Sequence, residues 1–106
     1  MSTSKECFEF IAGQLSCIAD VTYRVMMGEY VIYYRGRIVG GIYDDRFLVK
    51  PVQAAIRLMP DALPEIPYEG AKPMLQVQDV EDREFLSELL NAMYDELPEP
   101  KKRRKV

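Results

Sequence analysis

From Val21 onward the chain carries four short segments, VTYRVMM, EYVIYY, RIVGGIYD and RFLVK, rich in Val, Ile, Tyr and Phe. Such residues fit a pleated, half-buried surface. Only Gly28-Glu29, Arg35-Gly36 and Asp44-Asp45 punctuate them. Those are strand and turn signals. A parallel crossover needs about a dozen connecting residues, and none of these joints has them. The block therefore has to fold as an antiparallel meander. Gly36 supplies the positive φ that the tight turn after Arg35 demands.

The flanks read as helices. Ser2, Thr3 and Ser4 offer N-caps, and Phe8, Ile11, Leu15 and Ile18 recur at helical spacing, with Asp20 marking the exit. Gly13 inside that stripe suggests the close approach of a neighbour. After the meander, Pro51 suits the first turn of a short helix whose stripe is Val52, Ala55, Ile56 and Met59. Residues 60–73 hold four prolines and Gly70, and read as a stiff loop packed through Leu63, Ile66 and Tyr68. Met74 to Val77 reads as a last strand. Asp79 is placed to cap a final helix with Phe85, Leu86, Leu89, Leu90, Met93, Tyr94 and Leu97 on its apolar face.

The predicted order is α-β-β-β-β-α-β-α, a two-layer α+β fold with an antiparallel β-meander and flanking helices. At 106 residues the chain has enough for one core. Residues 1–97 are read as one domain and 98–106 as a basic, disordered tail.

Several chemistries drop out. The chain has no histidine, which removes Ser-His-Asp and Cys-His nucleophile activation and His-ligated zinc. Cys7 and Cys17 both fall in the predicted first helix, about 15 Å apart, too far for a disulfide. Free thiols in a cytoplasmic protein are expected. No apolar run approaches the ~20 residues of a membrane span. The acidic runs Asp44-Asp45 and Asp79–Glu84 suit a turn and a helix start and do not match a calcium loop. No cofactor, metal or catalytic residue is expected, and the protein is read as a non-enzyme.

Arg24, the Met26-Met27-Gly28 run, Tyr30, Tyr33, Gly36, Asp44-Asp45-Arg46 and Lys50 keep one register across 30 residues. That stretch resembles the N-terminal domain of the TfoX/Sxy competence-regulator family, with its Arg-x-Met-Phe-Gly-Gly-Tyr start and Asp-x-Leu-Tyr-Leu-Lys finish. The sequence departs from that pattern at Met27 and Glu29. The resemblance implies an antiparallel sheet with helices packed on it, similar to the secretion-chaperone-like fold. It also implies a bacterial, non-enzymatic, regulatory setting. It supplies no catalytic residues. The second, helical domain of the competence regulators has no counterpart here, so the resemblance is to a stand-alone N-terminal domain.

Tyr30, Tyr33, Tyr34 and Tyr43 make the meander tyrosine-rich. Strict alternation puts Tyr30, Ile32 and Tyr34 on one face and Val31 and Tyr33 on the other. It divides the next strand into Ile38, Gly40, Ile42 against Val39, Gly41, Tyr43. Both faces are apolar, and helices in a two-layer fold cover one. Tyrosine is enriched in interface cores, and Gly40-Gly41 admits a close backbone or ring. The sheet or its edge is therefore expected to contact a second copy or a protein partner, with Tyr30, Tyr33, Tyr34 and Tyr43 as contacts and Arg35 and Arg37 as orienting charges. Helices on both faces remain the plain alternative.

A nucleic-acid-associated regulator is the competing reading. It would use Arg35 and Arg37 with Lys101, Lys102, Arg103, Arg104 and Lys105 of the tail, whose PKKRRKV resembles a nuclear localisation sequence. Apart from that tail the chain has 9 basic and 17 acidic residues, a balance that repels phosphate. A small-ligand pocket near Met27 and Tyr30 is the third reading.

Overall fold

The computed structural model describes residues 3–26, 29–67 and 69–97. The elements are α1 (Lys5–Leu15), β1 (Val21–Met26), β2 (Glu29–Tyr34), β3 (Arg37–Tyr43), β4 (Arg46–Val49), α2 (Gln53–Leu58), β5 (Pro64–Glu65), β6 (Met74–Gln76) and α3 (Arg83–Met93), followed by a 3-10 turn, Tyr94–Glu96. The six strands form one sheet in the order β1-β2-β3-β4-β6-β5, with every neighbouring pair antiparallel. The fold is α+β, as the sequence led one to expect.

The helix layer lies on one side of the sheet. Ile11 and Leu15 of α1, Ala54 and Ala55 of α2, and Leu86, Leu89, Leu90 and Met93 of α3 join a single core. From the sheet that core takes Ile32, Tyr34, Val39, Ile42, Phe47, Val49 and Leu75. Buried apolar area drives this packing at about 25 cal/mol per Å². Ser4 caps α1 by accepting from the Cys7 N–H, and Asp82 caps α3 by accepting from the Phe85 N–H.

Helix boundaries moved inward from those expected. α1 stops at Leu15, where the Ser16 hydroxyl and N–H both bond the Gly13 carbonyl. Ile18 reaches the core from the following turn. Cys17 is thus outside the helix and exposed, and both thiols are free. Gly13 has no neighbour within 4 Å of where a Cβ would stand, so it serves no close approach. Pro51 precedes Val52, the N-cap of α2, and the buried side of α2 is Ala54 and Ala55, with Ile56 exposed. Asp82, not Asp79, caps α3, because Asp79 and Asp82 are already joined in a turn by the Asp82 N–H and Asp79 carbonyl.

The proline-rich segment hides a strand. Pro64 pairs with Leu75 and Glu65 with Met74 at the far edge of the sheet, an edge being where a residue lacking an N–H is tolerated. Leu63 and Ile66 flank this two-residue strand and are exposed rather than packed. Tyr68 lies outside the described residues.

Candidate interaction face of the sheet

Register determines what the uncovered face carries. On β1, Thr22 pairs with Tyr33 and Arg24 with Val31; on β3, Gly41 pairs with Val31 and Leu48. Between β2 and β3 the pairing slips: Ile32 faces Gly40, but Tyr33 faces Ile38. Val39 is the extra residue of a bulge. A bulge places two residues against one and bends the strand. It turns Val39 into the helix-side core and sends Ile38 to the opposite face, which strict alternation assigned the other way. The Gly40-Gly41 pair was the available sign, since glycine inside a strand often marks a bulge.

The face away from the helices therefore holds Met26, Tyr33, Ile38 and Tyr43, with Val31 and Leu48 beneath, and the polar Thr22, Arg24, Glu29 and Arg46 beside them. Met26 is 52% exposed and Ile38 40%. Tyr33 and Tyr43 are half-buried, and Val31 and Leu48 are buried. The Tyr43 ring leans back over Gly41: a Cβ there would stand 2.5 Å from Tyr43 Cε2. At Gly40 a Cβ would run into the Leu48 carbonyl and the β4 backbone. Both glycines are thus used up by approaches from within the chain.

Charge at the rim is unequal. Arg46 Nη1 lies 2.7 Å from Glu65 Oε1 and its Nε donates to the Tyr43 carbonyl. Arg24 is exposed.

The other candidates separate by side. Tyr34 is only 4% exposed, with its ring edge-on to Tyr94 at 5.8 Å. Tyr30 stacks on Phe8 at 3.9 Å, and Tyr23 meets Phe8 edge-on at 4.9 Å. These rings join the sheet to α1 and α3. Arg37 donates from Nη1 to the carbonyls of Tyr94 (3.0 Å) and Leu97 (3.2 Å) and sits 4.3 Å from the Tyr94 ring centre. It adds a charged donor at the carbonyl end of the α3 segment, where the Tyr94 carbonyl also accepts from the Leu97 N–H. Arg35, at φ 53°, stands over the rings of Tyr34 and Tyr94 at 5.1 and 5.2 Å, with Asp20 4.0 Å away. Both arginines clasp the end of the α3 segment. Lys101, Lys102, Arg103, Arg104 and Lys105 lie outside the described residues, as do Met27 and Gly28.

Glu29, one of the departures from the TfoX-like pattern, has a local role. Its Oε1 accepts from the Thr3 hydroxyl at 2.7 Å and from the Asp44 N–H at 3.3 Å. Asp45 accepts from the Ser4 N–H at 2.6 Å. Together these fasten the start of α1 to the β3–β4 turn, whose Asp44 and Asp45 both have positive φ. Burial pushes the Cys7 thiol pKa up, and the Asp45 carboxylate adds to this by its charge and a hydrogen bond.

Among the described residues no three His, Cys, Asp or Glu side chains converge to hold a metal ion. A groove of about 240 Å³ between the end of α2 and β6 is lined by Leu58, Met59, Ala62, Gln76, Gln78 and Asp79, well apart in the fold from Tyr30. No helix among the described residues is long and apolar enough to cross a membrane.

Among the described residues, a sheet with helices on one side and a tyrosine-bearing free face on the other defines the class: a small α+β domain built around an exposed sheet. An uncharacterized 12.7 kDa protein in the trpE 5′ region of Spirochaeta aurantia is 34% identical over 107 residues, an alignment that covers 98% of this chain and 91% of the relative. The chain belongs to the same family as that spirochaete protein. No protein-family model matches the chain, and no solved structure matches it.

Proposed function

We propose that the protein is a non-enzymatic interaction domain, resembling the N-terminal domain of TfoX/Sxy regulators, that binds a protein partner through the helix-free face of its sheet. The observation that carries this reading is the placement of Met26, Tyr33, Ile38 and Tyr43 opposite a one-sided helix layer. An apolar centre with aromatic rings is the composition of an interface core. The exposed Arg24 at the rim favours a partner with an acidic border. Of the sequence candidates, Tyr33 and Tyr43 serve this role, while Tyr30, Tyr34, Arg35 and Arg37 tie the sheet to the helix layer. The nucleic-acid reading loses support, because Arg37 already donates to two backbone carbonyls.

The test is quantitative affinity capture from the native host, with wild type beside the double substitution Tyr33→Ala/Tyr43→Ala. A partner recovered by wild type and depleted about tenfold or more by the variant is expected, that ratio corresponding to roughly 1.4 kcal/mol. Equal recovery of every partner by a folded variant would remove the face from the function.

A further inference from the structure

The two edges of the sheet differ in kind. β5 closes one edge with two residues, one of them Pro64. β1 forms the other with six, Val21–Met26, and among the described residues pairs only with β2. All but Val21 are exposed, Tyr23 at 51% and Val25 at 64%. An unprotected edge offers a row of unpaired N–H and C=O groups, and soluble proteins normally blunt it. Here one edge is blunted and the other is left long, with Tyr23, Val25 and Met26 exposed on it.

We infer that β1 pairs antiparallel with β1 of a second copy about a two-fold axis through Tyr23, giving a homodimer with one continuous sheet. The inference deepens the proposed function and rests on it only in that the dimer sets two free faces side by side.

The occupant follows from the sequence of the strand. A symmetric antiparallel pair needs the axis perpendicular to the sheet, so the helices of both copies fall on one side and opposed residues share a face. Within Val21–Met26 that leaves two registers of five pairs. Centred on Arg24, the strand would set Arg24 directly against Arg24 of the other copy, and like charges so opposed are destabilising. Centred on Tyr23, it sets Tyr23 against Tyr23, Thr22 against Arg24 and Val21 against Val25. Aromatic and β-branched cross-strand pairs of this sort are favourable. On the helix side, Tyr23 and Val25 of each copy then cover one another beside Phe8, which already touches Tyr23. The blunted β5 edge stops further addition, so the assembly closes at two copies rather than growing into a fibre.

Sedimentation velocity of the full chain over a concentration series tests this, joined to oxidative cross-linking in a Cys7→Ser/Cys17→Ser background. A wild-type dimer is expected. Val25→Lys replaces both Val21–Val25 pairs and should weaken dimerisation by about tenfold or more. Tyr23→Cys should cross-link the two chains under mild oxidation, whereas Thr22→Cys, which opposes Arg24, should not. A strict monomer at every concentration would overturn the inference. A dimer that ignores Val25→Lys, fails to cross-link at position 23 and dissociates with Tyr33→Glu would also overturn it, moving self-association to the free face. If capture of a partner fails with the face variants while the Tyr23→Cys cross-link persists, the edge dimer stands and the reading of the face is the one at fault.

Discussion

Phe47 and Leu48 are neighbours on β4, both essentially inaccessible, yet they belong to different kinds of interior. Phe47 lies in the core shared with all three helices, while Leu48 lies outside that core, under the free face. The first is enclosed by another layer. The second is sheltered by its own sheet, with Gly41 opposite and the Tyr43 ring leaning across. The two sides teach that burial in a small domain has two sources. Only one of them needs a second layer, and the other can be extended by a partner.

The comparison breaks first in the core. Phe47→Ala should cost about 3–5 kcal/mol, measured by denaturant unfolding, because the helix layer cannot collapse fully into the cavity. Next comes the clasp on α3. Arg37→Gln should cost about 1.5–3 kcal/mol, the range for hydrogen bonds to charged groups, and Arg37→Lys should not restore it, since a single ammonium lacks the planar face that stacks on Tyr94. Gly41→Ala should cost about 1–3 kcal/mol by overpacking against Tyr43 and the Tyr30 carbonyl. It should also raise the accessibility of Tyr43 to a phenol-directed label.

Smallest is the effect at the cysteines. The folded state raises the Cys7 thiol pKa, so it favours the protonated form. The associated stability is complete below the unfolded thiol pKa of about 8.5 and is lost as pH rises through the folded value. Timed iodoacetamide labelling at mildly alkaline pH should accordingly modify exposed Cys17 before half-buried Cys7. Equal rates would place Cys7 outside its packing against Asp45.

The meander was legible from β-propensity and two-residue turns, since nothing else satisfies so many strands joined so closely. The final helix was legible from its stripe of Leu86, Leu89, Leu90 and Met93. What escaped was non-local. The bulge at Val39 depends on how β2 and β3 slip past one another, and it alone decides which face Ile38 joins. β5 exists because β6 presents an edge to pair with, not because Pro64-Glu65 favours a strand. The two arginines at the β2–β3 turn looked like exposed charges, and no local pattern tells that Tyr94, some sixty residues on, would receive them. Of the four candidate tyrosines, Tyr33 and Tyr43 share the free face. Tyr30 and Tyr34 were set beside Ile32 by alternation, and that strand does meet the helices.

The central claim is that, among the described residues, the sheet is covered on one face only. Thermal unfolding of the double substitution Tyr33→Glu/Ile38→Lys, which sets opposite charges against each other across β2 and β3, tests it most directly, because two charges tolerate open water and not a closed interior. A midpoint within about 4 °C of wild type, equivalent to a change of roughly 1 kcal/mol or less, is the predicted result. A fall comparable to that of Phe47→Ala would contradict the account, for it would mean that both faces of the sheet are interior.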